Sequence, residues 1–216
     1  MTDVHRAMPL SLVALIALVA QLSLFAVTPA AAQSAAAIAM EPVSLPDMAI
    51  GSRDAPITII DYSSMTCSHC AHFEQGTLPM LKSTYIDTGY VRFVFREFPL
   101  DNNAFGASML ARCIANGDPG RYFGAIDTLF RQQDQLVNNA MNTLRWVGEQ
   151  SGMSDSAIDT CLKDQDLYAK LVADEKIGAN MVKIDSTPTF IINGRVYKGY
   201  MSFEQMDGII RSQLRR

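Results

Sequence analysis

The sequence predicts an α/β domain in which a strand, a helix and a strand are followed by a block of helices, then by a strand hairpin and a last helix. Three observations carry this. Ile57-Thr58-Ile59-Ile60 is a β-branched run suited to a buried strand, and a helical stretch follows it. From Asn103 to about Met181 apolar residues recur at helical spacing, with Phe105, Met109 and Cys113 on one face and Ile158, Cys161 and Leu162 on another. The strand signal returns at Thr189-Phe190-Ile191-Ile192, directly before Asn193-Gly194, the strongest short hairpin signal.

The elements follow in order. Residues 1–32 read as a signal peptide: Arg6 and the α-amino group give a weakly positive start, Leu12 to Ala20 is uninterrupted apolar chain, Pro29 breaks the run, and Ala30-Ala31-Ala32 supplies small residues for cleavage. The alternative is an uncleaved membrane anchor, since Leu10 to Val27 is near the lower spanning length. Cleavage after Ala32 leaves Gln33 to Arg216 as the working chain. Residues 33–56, rich in Ala, Pro and Ser, read as a flexible lead-in with at most a short strand or turn.

The strand 57–60 is expected to end at Asp61, with a polar turn to Cys70 and a helix through Phe73 and Leu78 to Tyr85. Pro79 should kink or restart that helix. Gly89 closes it, and Tyr90 to Phe98 alternates as a second strand. Asn116-Gly117-Asp118, Asn138-Asn139 and Ser151-Gly152 divide the block 103–183 into four or five helices. After the hairpin, Ser202 and Gln205 have capping-box spacing, and Phe203, Met206, Ile210 and Leu214 form the inward stripe of the last helix. The core is thus expected over 57–102 and 184–216.

Composition excludes some functions. Of 216 residues 49% are apolar and only 19% charged, with a net charge of −4, which is neither a disordered chain nor the basic surface of a nucleic-acid binder. The 4 cysteines are too few for a disulfide scaffold but allow two pairs. An exported chain works where disulfides form and persist.

Cys67 and Cys70 form a C-x-x-C directly after a strand and at the start of a helix. A helix N-terminus stabilises the thiolate of the first sulfur, making Cys67 the nucleophile and Cys70 the resolving partner. The His69 imidazole is expected beside Cys67, where it also favours the anion. A stabilised thiolate stabilises the reduced form and makes the disulfide a stronger oxidant. The competing readings are an inert disulfide and a metal site built from Cys67, Cys70 and His69 or His72. The strand-then-helix context favours redox chemistry, and no second ligand pair accompanies the motif.

These residues resemble the DsbA-type thiol:disulfide oxidoreductases of the thioredoxin superfamily. The resemblance rests on Asp61 to Glu74 (DYSSMTCSHCAHFE), on Phe98-Pro99-Leu100 and on Ser186-Thr187-Pro188-Thr189-Phe190. It implies a thioredoxin fold with an inserted helical domain, a cis-proline at Pro188, and a Thr187 backbone that pairs with a substrate strand. Without the resemblance, Pro188 would read as an ordinary trans-proline opening a strand. Asp61 falls on the family's buried carboxylate, a relay for the Cys70 proton, against the alternative of a strand-ending cap. Glu74 matches another family acidic position, or else is a solvated face residue.

The resemblance further implies oxidation of reduced, unfolded secreted proteins in the periplasm and reoxidation by a quinone-linked membrane partner; thiol exchange calls for no cofactor or metal, the acidic balance for no nucleic acid, and a monomer is expected. Ser68 stands where Pro is common, and Thr187 stands where Val often precedes the cis-proline; a Thr there is more like the disulfide isomerases. Isomerase or reductase activity is therefore the alternative within the enzyme class, and a Cys/His metallochaperone the alternative outside it. Cys113 and Cys161 lie on apolar helix faces. Export favours a bridge over two free thiols, and some relatives carry such a second disulfide; closing about 50 residues would contribute roughly 4 kcal/mol.

Overall fold

The computed structural model describes residues 43–215. The expected signal peptide and the start of the lead-in lie outside the described residues. Strands β1 (Met48–Ile50), β2 (Ile57–Ser63), β3 (Val91–Glu97), β4 (Thr189–Ile192) and β5 (Arg195–Lys198) form a sheet of order β1-β3-β2-β4-β5. β2 and β3 run parallel, and the other neighbours are antiparallel.

The pleat sorts side chains by parity. Ile57, Ile59, Phe93, Phe95, Phe190 and Ile192 join the main core on one face. Ile60, Tyr62, Val94 and Ile191 join a smaller cluster on the other face with Phe98, Val182 and Ile184. Both faces of the central strands are covered, so they read as apolar runs rather than alternating ones.

β2 continues two residues past the expected end. Asp61 pairs with Phe95 and Phe190, and Tyr62 with Arg96 and Thr189. A polar residue is held inside a strand here because both neighbouring strands supply ladder partners for its backbone. Asp61 has the parity of Ile57 and Ile59, which turns its carboxylate into the main core.

The helical stretch after β2 comprises α1 (Ser68–His72), a π-helical turn (Phe73–Thr77), α2 (Leu78–Leu81) and a second π-helical turn (Lys82–Ile86). Pro79 restarts the helix as expected: it sits in the first turn of α2, where its missing N–H costs nothing, and the Leu78 N–H reaches back to Phe73 O in the widened turn before it.

The helical block contains α3 (Asn102–Ala115), α4 (Pro119–Arg131), α5 (Gln133–Asn138), α6 (Ala140–Gln150), α7 (Asp155–Leu162) and α8 (Gln165–Ile177), followed by a π-helical turn (Gly178–Val182). There are six α-helices here rather than four or five. The chain also breaks at Gln132 and at Lys163-Asp164, where no glycine marks the turn. Asp164 instead accepts from the Leu167 N–H as the cap of α8. The main core runs without interruption from the sheet into this block through Leu110, Tyr122, Leu129, Phe130 and Val147. Asn193 and Gly194, both with positive φ, turn β4 into β5, and α9 (Phe203–Leu214) starts at a complete capping box between Ser202 and Gln205.

The lead-in is ordered earlier than expected. Its short strand, β1, forms the sheet edge beside β3, the Ser44 and Leu45 N–H groups both donate to the Asp174 carboxylate, and Asp47 pairs with Arg96. Composition suggested flexibility, but the partners lie more than a hundred residues away for Asp174, beyond the reach of local reading.

Candidate active site

The reactive motif sits where β2 hands over to α1. Ser64 and Cys67 close a tight turn through Cys67 N–H to Ser64 O (3.0 Å), and Thr66 Oγ1 donates to Asp101, the cap of α3, at 2.7 Å. Cys67 is the N-cap of α1, with extended backbone (φ −86°, ψ 121°), and its carbonyl accepts from Ala71 N–H. This aims the free N–H groups of the first turn at the Cys67 side chain.

The two free thiols differ. Cys67 is half-buried and Cys70 fully buried. Cys67 is pulled down to about 5, first by the hydrogen bond from the Cys70 thiol, then by the Thr187 side chain and the Cys70 and His69 backbone N–H groups; its own burial works against this. As a thiol, Cys67 Sγ donates to the Thr187 carbonyl at 3.3 Å. Burial drives Cys70 far up, and its donation to Cys67 and the nearby Asp61 charge add to the effect. The pair therefore holds one shared proton on Cys70 and the negative charge on Cys67.

His69 contributes its backbone N–H to the Cys67 sulfur. Its side chain is exposed, because the helix turns position 69 outward. Asp61 is 0% exposed, and none of the described residues donates to either carboxylate oxygen. Burial lifts its pKa well above the usual range, and Cys67 adds to it; the nearby Ser63 hydroxyl is also unpartnered. The strand-ending cap is thus replaced by a carboxyl in the core. Glu74, 6% exposed, is not on a solvated face: its Oε1 is unpartnered, and burial together with Asp61 and Asp127 pushes its pKa up. The Thr187–Pro188 bond is cis, and Pro188 immediately precedes β4.

Cys113 and Cys161 are joined by a disulfide (Cα–Cα 6.2 Å) linking α3 to α7. Among the described residues no three His, Cys, Asp or Glu side chains are grouped to hold a metal ion. One site residue was missed from sequence. Gln133, the first residue of α5, donates to both Met65 O (2.9 Å) and Cys67 O (3.0 Å). It lies more than sixty residues from the motif, and no pattern in the sequence connects them.

The arrangement fits thiol-disulfide exchange: an accessible thiolate, a buried protonated thiol, and a buried carboxyl near it whose pKa is raised. The thioredoxin family profile matches residues 44–212. A Rickettsia bellii protein named as a protein-disulfide oxidoreductase is 33% identical over 71% of this chain and 60% of its own length. The chain therefore spans about 60% of that relative. Disulfide bond formation protein D of Bacillus subtilis is 22% identical over 77% of this chain and 76% of its own. The crystal structure of Wolbachia pipientis α-DsbA1 superposes with TM-score 0.73 at 30% identity, covering 79% of this chain and 92% of that one. With the fold, the site and these likenesses together, the chain belongs to the thioredoxin family, in its DsbA-type branch.

Proposed function

We propose that this protein is a disulfide-donating thiol:disulfide oxidoreductase, acting after export on reduced, unfolded proteins. The observation that carries this reading is the division of labour between Cys67, acidic and accessible, and Cys70, buried and protonated. A substrate thiolate attacks Cys67 Sγ of the Cys67–Cys70 disulfide. The Cys67–Cys70 bond breaks, a mixed disulfide forms, and Cys70 leaves as a thiolate that takes a proton from Asp61. The substrate's second thiolate then attacks its own sulfur of the mixed disulfide, forms the substrate disulfide and releases Cys67 as a stabilised thiolate. Two electrons pass from substrate to protein, and the depressed Cys67 pKa makes the last departure favourable.

Asp61 takes up the proton of Cys70 in the reverse sense, when Cys70 resolves the mixed disulfide. Glu74, buried near Asp61, is pushed up by its own burial and by the Asp61 charge, so the two carboxyls resist ionising together. Thr187, whose carbonyl already meets Cys67, offers a substrate chain an extended edge ahead of β4. Residues 1–32 serve as the export signal, with the periplasm as the working compartment. Regeneration of the disulfide falls to a membrane partner linked to quinones, as in the family.

The reduction potential against glutathione tests the direction of exchange. A value well above that of thioredoxin is expected; a value near it would make this a reductase. The Cys70→Ser variant should accumulate a mixed disulfide through Cys67. Accumulation of none, with Cys67 intact by alkylation, overturns the role of Cys67.

A further inference from the structure

We propose that Gln133 is a positioning residue for Cys67: its side-chain amide, delivered from the helical block, fixes the orientation of the Cys67 peptide and so aims the stabilising N–H groups at the Cys67 sulfur. The inference rests on Cys67 being the reacting sulfur. It deepens that reading by giving the inserted block a chemical task at the site.

The geometry is specific. A carboxamide nitrogen has two hydrogens. Those of Gln133 meet two carbonyl oxygens of one turn, Met65 O at 2.9 Å and Cys67 O at 3.0 Å. Cys67 O also accepts from Ala71 N–H at 3.1 Å, so Gln133 and the first helical turn hold the same atom from two directions. The orientation of that carbonyl is the ψ angle of Cys67, observed at 121°. Rotation about ψ carries the next peptide plane with it, and with it the His69 and Cys70 N–H groups that stabilise the thiolate.

The anchor itself is firm. Gln133 stands on the first turn of α5, where Leu136 is fully buried in the main core. A second amide runs the opposite way nearby, from Gln75 Nε2 to Phe130 O at 3.0 Å, at the end of α4. The π-helical turn that carries Gln75 and the α4–α5 junction are therefore pinned to each other at both the loop and the helix. Neither bond touches a sulfur, so Gln133 acts through Cys67 and not on the substrate.

The test compares Gln133→Met, which keeps the length of the side chain without donors, with Leu136→Ala, which loosens the same helix without touching the turn. The thiolate of the reduced full chain is titrated by its absorbance at 240 nm, and the equilibrium with glutathione is measured. Loss of the two bonds should raise the Cys67 pKa by about half to one unit and lower the equilibrium constant for oxidation of glutathione by the protein disulfide about three- to tenfold. Leu136→Ala should lower thermal stability and leave the Cys67 pKa unchanged. An unshifted Gln133→Met, or an equal shift in Leu136→Ala, overturns the proposal. Should Gln133→Met not fold, Gln133→Asn draws both donors back by one methylene; a raised pKa is again expected, and no change overturns it. A parent protein without a low-pKa thiol would sink the Cys67 reading itself, whereas a normal parent with unshifted variants sinks only this inference.

Discussion

Cys67 and Cys70 are the same chemical group separated by two residues, and their environments drive them apart. Cys67 collects donors at a helix start, and Cys70 is enclosed and donates. Because the folded Cys67 pKa lies below that of an unfolded cysteine, the thiolate stabilises the reduced protein fully above about pH 8.5, and the benefit is lost as pH falls through about 5. Unfolding of the reduced protein against its Cys67→Ser variant, followed in urea across this range, should show the gap widening from pH 5 to 9; a pH-independent gap would contradict the assigned thiolate. Glu74 runs the other way. Its carboxyl is raised by burial, so the folded state holds a proton that the unfolded chain gives up above about pH 4, and stability falls as pH rises beyond that. Glu74→Gln is expected to stabilise by about 1–2 kcal/mol at pH 8 and by nothing near pH 4, as read from urea midpoints; equal effects at both pH values would place a solvated carboxylate there instead.

At the scale of elements, the joints between strands and helices are made by buried ions. Arg112 on α3 meets Glu97 at the end of β3 in a two-pronged pair at 2.5 and 2.6 Å, and Tyr122 on α4 donates to the same carboxylate at 2.7 Å. Both charged side chains are nearly inaccessible, so each satisfies the other where water cannot. Arg112 also donates to Pro46 O, tying the chain ahead of β1 into the same joint. Arg112→Met would strand the Glu97 charge and is expected to cost about 3–5 kcal/mol in urea unfolding, whereas Tyr122→Phe should cost about 1–2 kcal/mol. A loss under 1 kcal/mol for Arg112→Met would show that Glu97 finds water or another donor.

For the whole molecule, the Cys113–Cys161 bridge spans a sequence separation of 48 and staples α3 to α7. By loop closure, its removal in Cys113→Ala/Cys161→Ala should lower the unfolding free energy by up to about 4 kcal/mol while leaving the Cys67 pKa in place. No measurable loss would mean that the reduced chain already holds these helices together. The continuous core argues for cooperative unfolding of 43–215, since α3 and α4 pack against the same side chains as the sheet.

The sequence by itself determined the order of strands and helices, the C-x-x-C at a strand-to-helix junction, the Pro79 restart, the Asn193-Gly194 turn and the capping box at Ser202. Each of these is local chemistry: a fixed φ, a missing N–H, a positive-φ pair, a side chain that reaches three residues. Tertiary structure alone decided the rest. Asp61 reads as the end of a strand until β3 and β4 pair with its backbone and the pleat turns it inward. Glu74 reads as a surface residue until α4 covers it. Gln133 has no mark in sequence because its partners are carbonyl oxygens of another segment. Backbone groups are the same at every residue, so which of them a distant side chain will meet is written only in the folded chain.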